Sequence, residues 1–235
     1  MAEDRKPIAR QTSESDVQAF LSKVAAMPRV KPADVRGRLL FAMDATASRE
    51  PTWDMACGIQ GDMFAETAKL GGLDVQLVYY RGYRDFRASP WVSSSADLIP
   101  YMSRARCLGG RTQLGRVLKY ALEEGRKQRI NALVFVGDAF EEEIDPVCHT
   151  AGELGLLGMP CFMFHEGPNP IAESCFRQIA TLTGGAYCRF DAASARQLKE
   201  LLSAVAVFAA GGRPALADYG KRHGGGALLI AHQVK

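Results

Sequence analysis

The chain alternates between short, continuously apolar runs and longer stretches whose apolar positions recur at helical spacing. The short runs are Arg38–Met43 (RLLFAM), Val75–Tyr80 (VQLVYY), Ala132–Val136 (ALVFV), Cys161–Phe164 (CFMF) and Ala186–Phe190 (AYCRF). Runs of this length suit strands buried on both faces of a parallel sheet. Helical patterns lie between them: from about Pro51 to Leu70, then Ala96–Arg106, Gln113–Lys127, Asp145 to about Leu157, Pro170–Leu182 and Ser194–Phe208. Pro51 fits a first helical position, and Gly71-Gly72 ends that helix. Phe86–Val92 is aromatic but broken by Pro90, and reads as an edge strand or a loop. A further helix is predicted near residues 15–27, where Val17, Phe20, Leu21 and Val24 share a face and Pro28 and Pro32 follow.

Strands alternating with helices predict an α/β fold: a doubly wound, mostly parallel sheet with helices on both faces. The expected organisation is an N-terminal extension with a helix (1–36), one domain (37–210), and a Gly-rich linker with an apolar tail (211–235). The tail, ALLIAHQVK, is too short to span a membrane and would be an aggregation hazard if left exposed. It is expected to dock back on its own domain, which the linker can reach at ~3.3 Å per residue.

Composition narrows the function classes. Of 235 residues, 47% are hydrophobic and 23% charged, which excludes a mainly disordered chain, a collagen and a coiled-coil rod. A net charge of +3 spread over the chain does not predict a nucleic-acid partner. No apolar run approaches the ~20 residues of a membrane span. The opening stretch, MAEDRKPIARQTSESD, lacks the apolar core of a signal peptide, so a cytoplasmic location is expected. The six cysteines are scattered without a C-x-x-C pair and read as buried thiols.

The candidate chemistry lies at strand ends. Two runs end at Asp44 and Asp138, and in a doubly wound sheet the carboxyl ends of the strands line the functional edge. Neighbouring strands lie ~5 Å apart. Two carboxylates that close repel, unless a cation sits between them. Thr46 and Ser48 follow Asp44 in D-A-T-A-S, and Thr112 sits in the Gly-rich loop GGRTQLG. Hydroxyls and carboxylates are hard oxygen ligands, suited to Mg²⁺, Mn²⁺ or Ca²⁺ and poorly suited to zinc.

With these residues the chain resembles a von Willebrand factor A-type (VWA) domain carrying a metal-ion-dependent adhesion site (MIDAS). That family's site uses a D-x-S-x-S stretch after the first strand, a threonine from a Gly-rich loop and an aspartate after the fourth strand. Asp44, Thr46 and Ser48 match the first part, with Thr46 in place of the usual serine; Thr112 matches the second; Asp138, in LVFVGDAF, matches the third. CFMFHEGPNPIAESCFRQIATLTGGAYCRF resembles the family's late strand–helix–strand segment, and the whole resemblance covers roughly residues 37–208. It implies a Rossmann-like VWA fold. It further implies a binding module rather than an enzyme, with Mg²⁺ (or Mn²⁺ or Ca²⁺) whose open position takes an Asp or Glu carboxylate of a partner protein. Intracellular bacterial VWA proteins of the tellurite-resistance type suggest a place in a stress-response or phosphorylation complex.

Other readings of the same residues fare worse. The D-x-D of haloacid-dehalogenase-type phosphotransferases has an acid/base aspartate where this chain has Thr46. The loop after Met43 has no glycine for a G-x-G-x-x-G site, and G-x-S-x-G is absent. The alternative function is a metal-dependent hydrolase or phosphotransferase acting on a phosphate ester, with a base from Glu141–Glu143 or His165. Those three glutamates otherwise read as a solvated acidic approach to a helix, or as tuning the metal through a water. Around the site, Arg111 is expected either to weaken the metal or to hold an acidic partner. Trp53 is either a packed helix residue or an exposed anchor. His165, expected just past a strand, is expected to frame the partner groove. His149, His165, His223 and His232 do not pair at metal-ligand spacing. The string from Tyr79 to Arg84 reads as a strand end running into a polar loop.

Overall fold

The structure, a computed structural model, describes Ser22 and residues 36–190 and 195–223. Its elements run β1 (Gly37–Asp44), α1 (Glu50–Thr67), β2 (Leu73–Arg81), β3 (Asp85–Ala88), α2 (Ser95–Arg104), α3 (Leu114–Lys127), β4 (Ala132–Gly137), α4 (Ile144–Leu156), β5 (Cys161–Glu166), α5 (Pro170–Leu182), β6 (Ala186–Phe190) and α6 (Ala195–His223). Short 3₁₀ turns precede and follow α1, at Ala47–Arg49 and Ala68–Leu70. The six strands form one sheet in the order β3-β2-β1-β4-β5-β6. All pairings are parallel except β2 with β3.

The alternation of side chains along a strand divides the core into two layers. Leu39, Phe41 and Met43 of β1 face the side covered by α1, α2 and α6, and Leu40 and Ala42 face α3, α4 and α5. Every residue of β1 is buried, because β1 is central and both its faces are covered. The chain runs outward from β1 to β2 and β3, then returns to β4 on the other side of β1. The crevice between the ends of β1 and β4 is therefore the point where strand order reverses, where ligands bind in open α/β sheets.

Phe86 lies in β3, an antiparallel edge strand that ends before Pro90, which could not donate to the ladder. Two boundaries differ from the sequence reading. β5 runs to Glu166, so His165 lies within a strand rather than beyond it. Residues 213–223, expected as linker, are helical: α6 kinks at Gly212 (φ 69°, ψ −164°) and continues. Beyond the kink Pro214 sits in a first turn, where its missing N–H costs nothing, and Ala215 and Leu216 are buried with Tyr219 packed alongside. The expected helix near 15–27, apart from helical Ser22, and the apolar tail at 227–235 lie outside the described residues. Among the described residues no helix is long and apolar enough to cross a membrane.

Candidate metal centre

The site grows from the last residues of β1 and β4. Met43 pairs with Val136 across the two strands, which brings Asp44 beside Gly137 and one residue short of Asp138. A Cβ placed on Gly137 would lie 3.7 Å from the Asp44 Cβ. The chain then leaves β1 through extended Thr46 and turns through Ala47–Arg49, closed by the Arg49 N–H donating to the Thr46 carbonyl at 2.9 Å. This tight exit converges the side chains. The Thr46 N–H donates to Asp44 Oδ1 at 2.8 Å, Thr46 Oγ1 and Ser48 Oγ lie 3.4 Å apart, and Ser48 Oγ donates to Asp138 Oδ2 at 2.8 Å. Asp44, Thr46, Ser48 and Asp138 thus form one hydrogen-bonded cluster at the switch point.

Thr112 reaches this neighbourhood through a loop held against the other strand ends. The Leu108 N–H donates to the Ala45 carbonyl at 3.0 Å, and the Gly82 N–H donates to the Leu108 carbonyl at 3.3 Å. Gly110 lies flat on the β2–β3 turn: a Cβ on it would meet the Gly82 carbonyl oxygen at 2.0 Å. Thr112 is buried, and its Oγ1 accepts from the Glu141 N–H at 3.0 Å. Its contact is thus to the segment following Asp138 rather than to Asp44, Thr46 or Ser48.

The acidic run has structural duties. Glu142 accepts from the Leu114 N–H at 2.6 Å and the Gly115 N–H at 3.0 Å, at the N-terminus of α3, where free donors and the helix dipole favour a carboxylate. Glu141 accepts from the Thr112 N–H at 3.4 Å. The solvated reading of this run is corrected for half-buried Glu142, to which α3 offers its unpaired N–H groups; Glu141 and Glu143 are exposed.

Two expected partner-binding residues point inward. Trp53 is 3% exposed, donates its indole N–H to the Met102 carbonyl at 3.1 Å and stands edge-on to Tyr79. It is a core residue of α1, not a surface anchor, because α2 closes over it. His165 is fully buried, with Nδ1 2.9 Å from the Tyr187 hydroxyl and its ring edge-on to Phe176. It does not frame a groove, since α5 covers this face of β5. Burial, with the charge of Arg189, pulls its pKa down to about 4, so the ring is neutral at pH 7. Arg111 is exposed, next to Thr112.

Three further residues shape the site. Tyr80 pairs with Asp44 in the β1–β2 register, so both side chains share a face, and its hydroxyl donates to Asp44 Oδ2 at 3.0 Å. Burial pushes the Asp44 pKa above the usual carboxylate value; the Thr46 N–H and the Tyr80 hydroxyl oppose this, and the charge of Asp138 reinforces it. Arg49 is fully buried, bonded through Nη1 to Glu166, whose carboxylate also accepts from Thr52 Oγ1 at 2.6 Å. Burial lowers the Arg49 pKa, and the charges of Asp138 and Asp44 oppose this. The signals available in the sequence were position alone: Arg49 follows D-A-T-A-S directly, and Tyr80 ends the strand beside β1.

The donor set fits a hard divalent ion in one respect: Asp138 Oδ1 is buried without a hydrogen-bond partner among the described residues. An oxygen in that state calls for a cation or a donor. Asp44, Thr46, Ser48 and Asp138 would hold the ion, with Thr112 the nearest further hydroxyl donor on the Gly-rich loop.

No family model matches the chain, and no curated protein matches its sequence. Solved structures do match in shape. The chain superposes on a von Willebrand factor type A protein from Catenulispora acidiphila with a TM-score of 0.61 at 15% identity, over 73% of this chain and 43% of that one. The fold is that of a VWA domain. The SpRpn10 VWA domain matches with a TM-score of 0.54 at 12% identity, over 72% of this chain and 94% of its own. Proximal thread matrix protein 1 from the mussel byssus, with a zinc-occupied MIDAS motif, matches with a TM-score of 0.53 at 15% identity, over 74% of this chain and 47% of that one. The chain thus spans less than half of the first and third of these proteins and nearly all of the second.

Proposed function

We propose that this VWA fold is a divalent-metal-dependent protein-binding module, which engages an Asp or Glu carboxylate of a partner through an ion held by Asp44, Thr46, Ser48, Thr112 and Asp138. The observation that carries this reading is the convergence of Asp44, Thr46, Ser48 and Asp138 at the switch point, with a buried Asp138 oxygen left without a partner. A zinc-occupied MIDAS motif in a structure of the same fold supports it. Mg²⁺ is the expected ion, with Mn²⁺ or Ca²⁺ as substitutes, given an all-oxygen donor set. The ion supplies an electrophilic point that an anionic side chain can complete. The chain's own residues place and neutralise it: Tyr80 and the Thr46 N–H orient Asp44, and Ser48 orients Asp138. Exposed Arg111 would then favour an acidic partner by its charge.

Binding is preferred to hydrolysis of a phosphate ester because three of the four candidate bases, all but exposed Glu143, already have partners. His165 is buried against Tyr187 and neutral, Glu142 caps α3, and Glu141 is tied to Thr112. A general base must reach its proton in a productive geometry, and fully buried His165 cannot. A cytoplasmic role in a bacterial stress-response or phosphorylation complex goes with this reading.

Calorimetry with Mg²⁺ and Mn²⁺ on the wild type, Asp44→Ala and Thr112→Ala tests the site. Binding by the wild type and loss in both variants, with unchanged circular dichroism, is the expected result. Equal affinity in all three would refute it. A pull-down with Mg²⁺, repeated in EDTA and with Asp44→Ala, then isolates partners that depend on the ion.

A further inference from the structure

Arg49 is the largest fully buried side chain of the molecule's described part, and it is charged. Only Nη1 is partnered, by Glu166; Nε and Nη2 are buried with no hydrogen-bond partner among the described residues. Asp138 Oδ1 is left in the matching state, an acceptor without a donor. Unmet donors on a buried guanidinium and an unmet acceptor on a buried carboxylate oxygen are each costly, and the cost disappears if they meet. The charges are already coupled, since Asp138 and Asp44 both act on the guanidinium. Arg49 lies on the same 3₁₀ turn as Ser48, which itself donates to Asp138 Oδ2.

We propose that Arg49 is the resident counter-cation of the Asp44–Asp138 pair: its Nε and Nη2, unpartnered in the described arrangement, close on Asp138 in solution, and a divalent ion binds only by displacing them. One guanidinium pairs with Glu166 and feels the charges of Asp44 and Asp138, so an ion still meets a negative site when Arg49 is present. Its affinity is nevertheless set by competition, because a buried positive charge coupled to Asp138 and Asp44 opposes a dication at the same carboxylates. When displaced, the guanidinium retains Glu166 as its partner. The part of this inference that concerns the ion rests on the metal reading above; the pairing of Arg49 with Asp138 does not.

The test combines thermal melting in EDTA with calorimetry on the full chain carrying Arg49→Gln, Asp138→Asn or both. In EDTA each single variant is expected to melt several degrees below wild type, and the double variant above the sum of the two losses, because each removes the other's stranded partner. In calorimetry Arg49→Gln is expected to bind Mg²⁺ or Mn²⁺ at least about tenfold more tightly than wild type. A merely structural arginine would not move that affinity upward. Additive losses, or an Asp138→Asn protein that melts at or above wild type in EDTA, would overturn the pairing. Affinity unchanged or weakened in Arg49→Gln would overturn the competition. If Arg49→Gln does not fold, the sign of the Asp138→Asn shift decides the pairing, and Arg49→Lys, which keeps the charge on a poorer donor, decides the competition by whether the ion binds more tightly. Binding by Arg49→Gln but not by wild type supports this inference and refutes the metal reading for the native chain. If no variant binds an ion, the metal reading and the competition both fail, and the melting data alone judge the pairing.

Discussion

Removing the Glu142 carboxylate should unlatch the two loops that flank the crevice. Its oxygens accept from the first two N–H groups of α3, Leu114 at 2.6 Å and Gly115 at 3.0 Å. Those donors have no partner within the helix, and α3 carries no side-chain cap of its own, since Gln113 makes none. Hydrogen bonds to a charged acceptor contribute ~1.5–3 kcal/mol each when buried, and a carboxylate at a helix N-terminus ~0.3–1 kcal/mol from the dipole. Glu142 is only partly buried, so water reclaims part of this in the variant. The net cost of Glu142→Ala is therefore about 2 kcal/mol. For a chain of this size that lowers Tm by about 4–8 °C. Glu142→Gln keeps an acceptor but loses the charge, and should fall about halfway. Exposed Glu143, whose side chain makes no capping bond to α4, provides the control, and Glu143→Ala should stay near wild type. Differential scanning calorimetry in EDTA reads all three. A Glu142→Ala protein that melts with wild type, or a Glu143→Ala protein that falls as far, would refute the assignment of Glu142 as the cap that joins the Asp138 segment to the Thr112 loop.

Three more outcomes are expected. Tyr80→Phe leaves Asp44 Oδ2 without its 3.0 Å donor in a fully buried position, and should cost ~1–3 kcal/mol in urea denaturation. Gly110→Ala places a Cβ 2.0 Å from the Gly82 carbonyl oxygen and should cost ~1–3 kcal/mol, whereas Gly109→Ala, with open space around its Cβ, should be near neutral; equal melting of the two would show that the loop does not rest on the turn. His165 has a folded pKa of about 4 against an ordinary 6.5, so the unfolded chain binds its proton first; this contribution to stability is full above pH 6.5 and is lost as pH falls toward 4. His165→Gln should therefore reduce the stability gained between pH 4.5 and 7 by about 2–3 kcal/mol relative to wild type in EDTA. Asp44 acts in the opposite sense, its raised pKa favouring the folded state as pH falls, but it is common to both proteins. An unchanged slope would mean that His165 is not held neutral.

The α/β class, the five parallel strands and the helices among the described residues follow from patterns local to the chain. Runs such as LLFAM and ALVFV have only one economical use, burial on both faces, and the intervening helical periods are long enough to cover a sheet. The strand-end aspartates were legible for the same reason: Asp44 and Asp138 each close an apolar run, and parallel strands put such ends on one edge. Two kinds of information were not local. Helix beyond Gly212 depends on Ala215 and Leu216 finding an apolar surface, which composition cannot supply. The directions of Trp53, His165 and Arg49 depend on what lies behind them: α2 closes over Trp53, α5 over His165, and Glu166 from β5 meets Arg49. Sequence spacing specifies which residues share a face of one element. Whether that face meets water, a hydrocarbon core or an opposing charge is decided when two helical layers close on the sheet, and that closure turned three apparent surface or turn residues into buried ones.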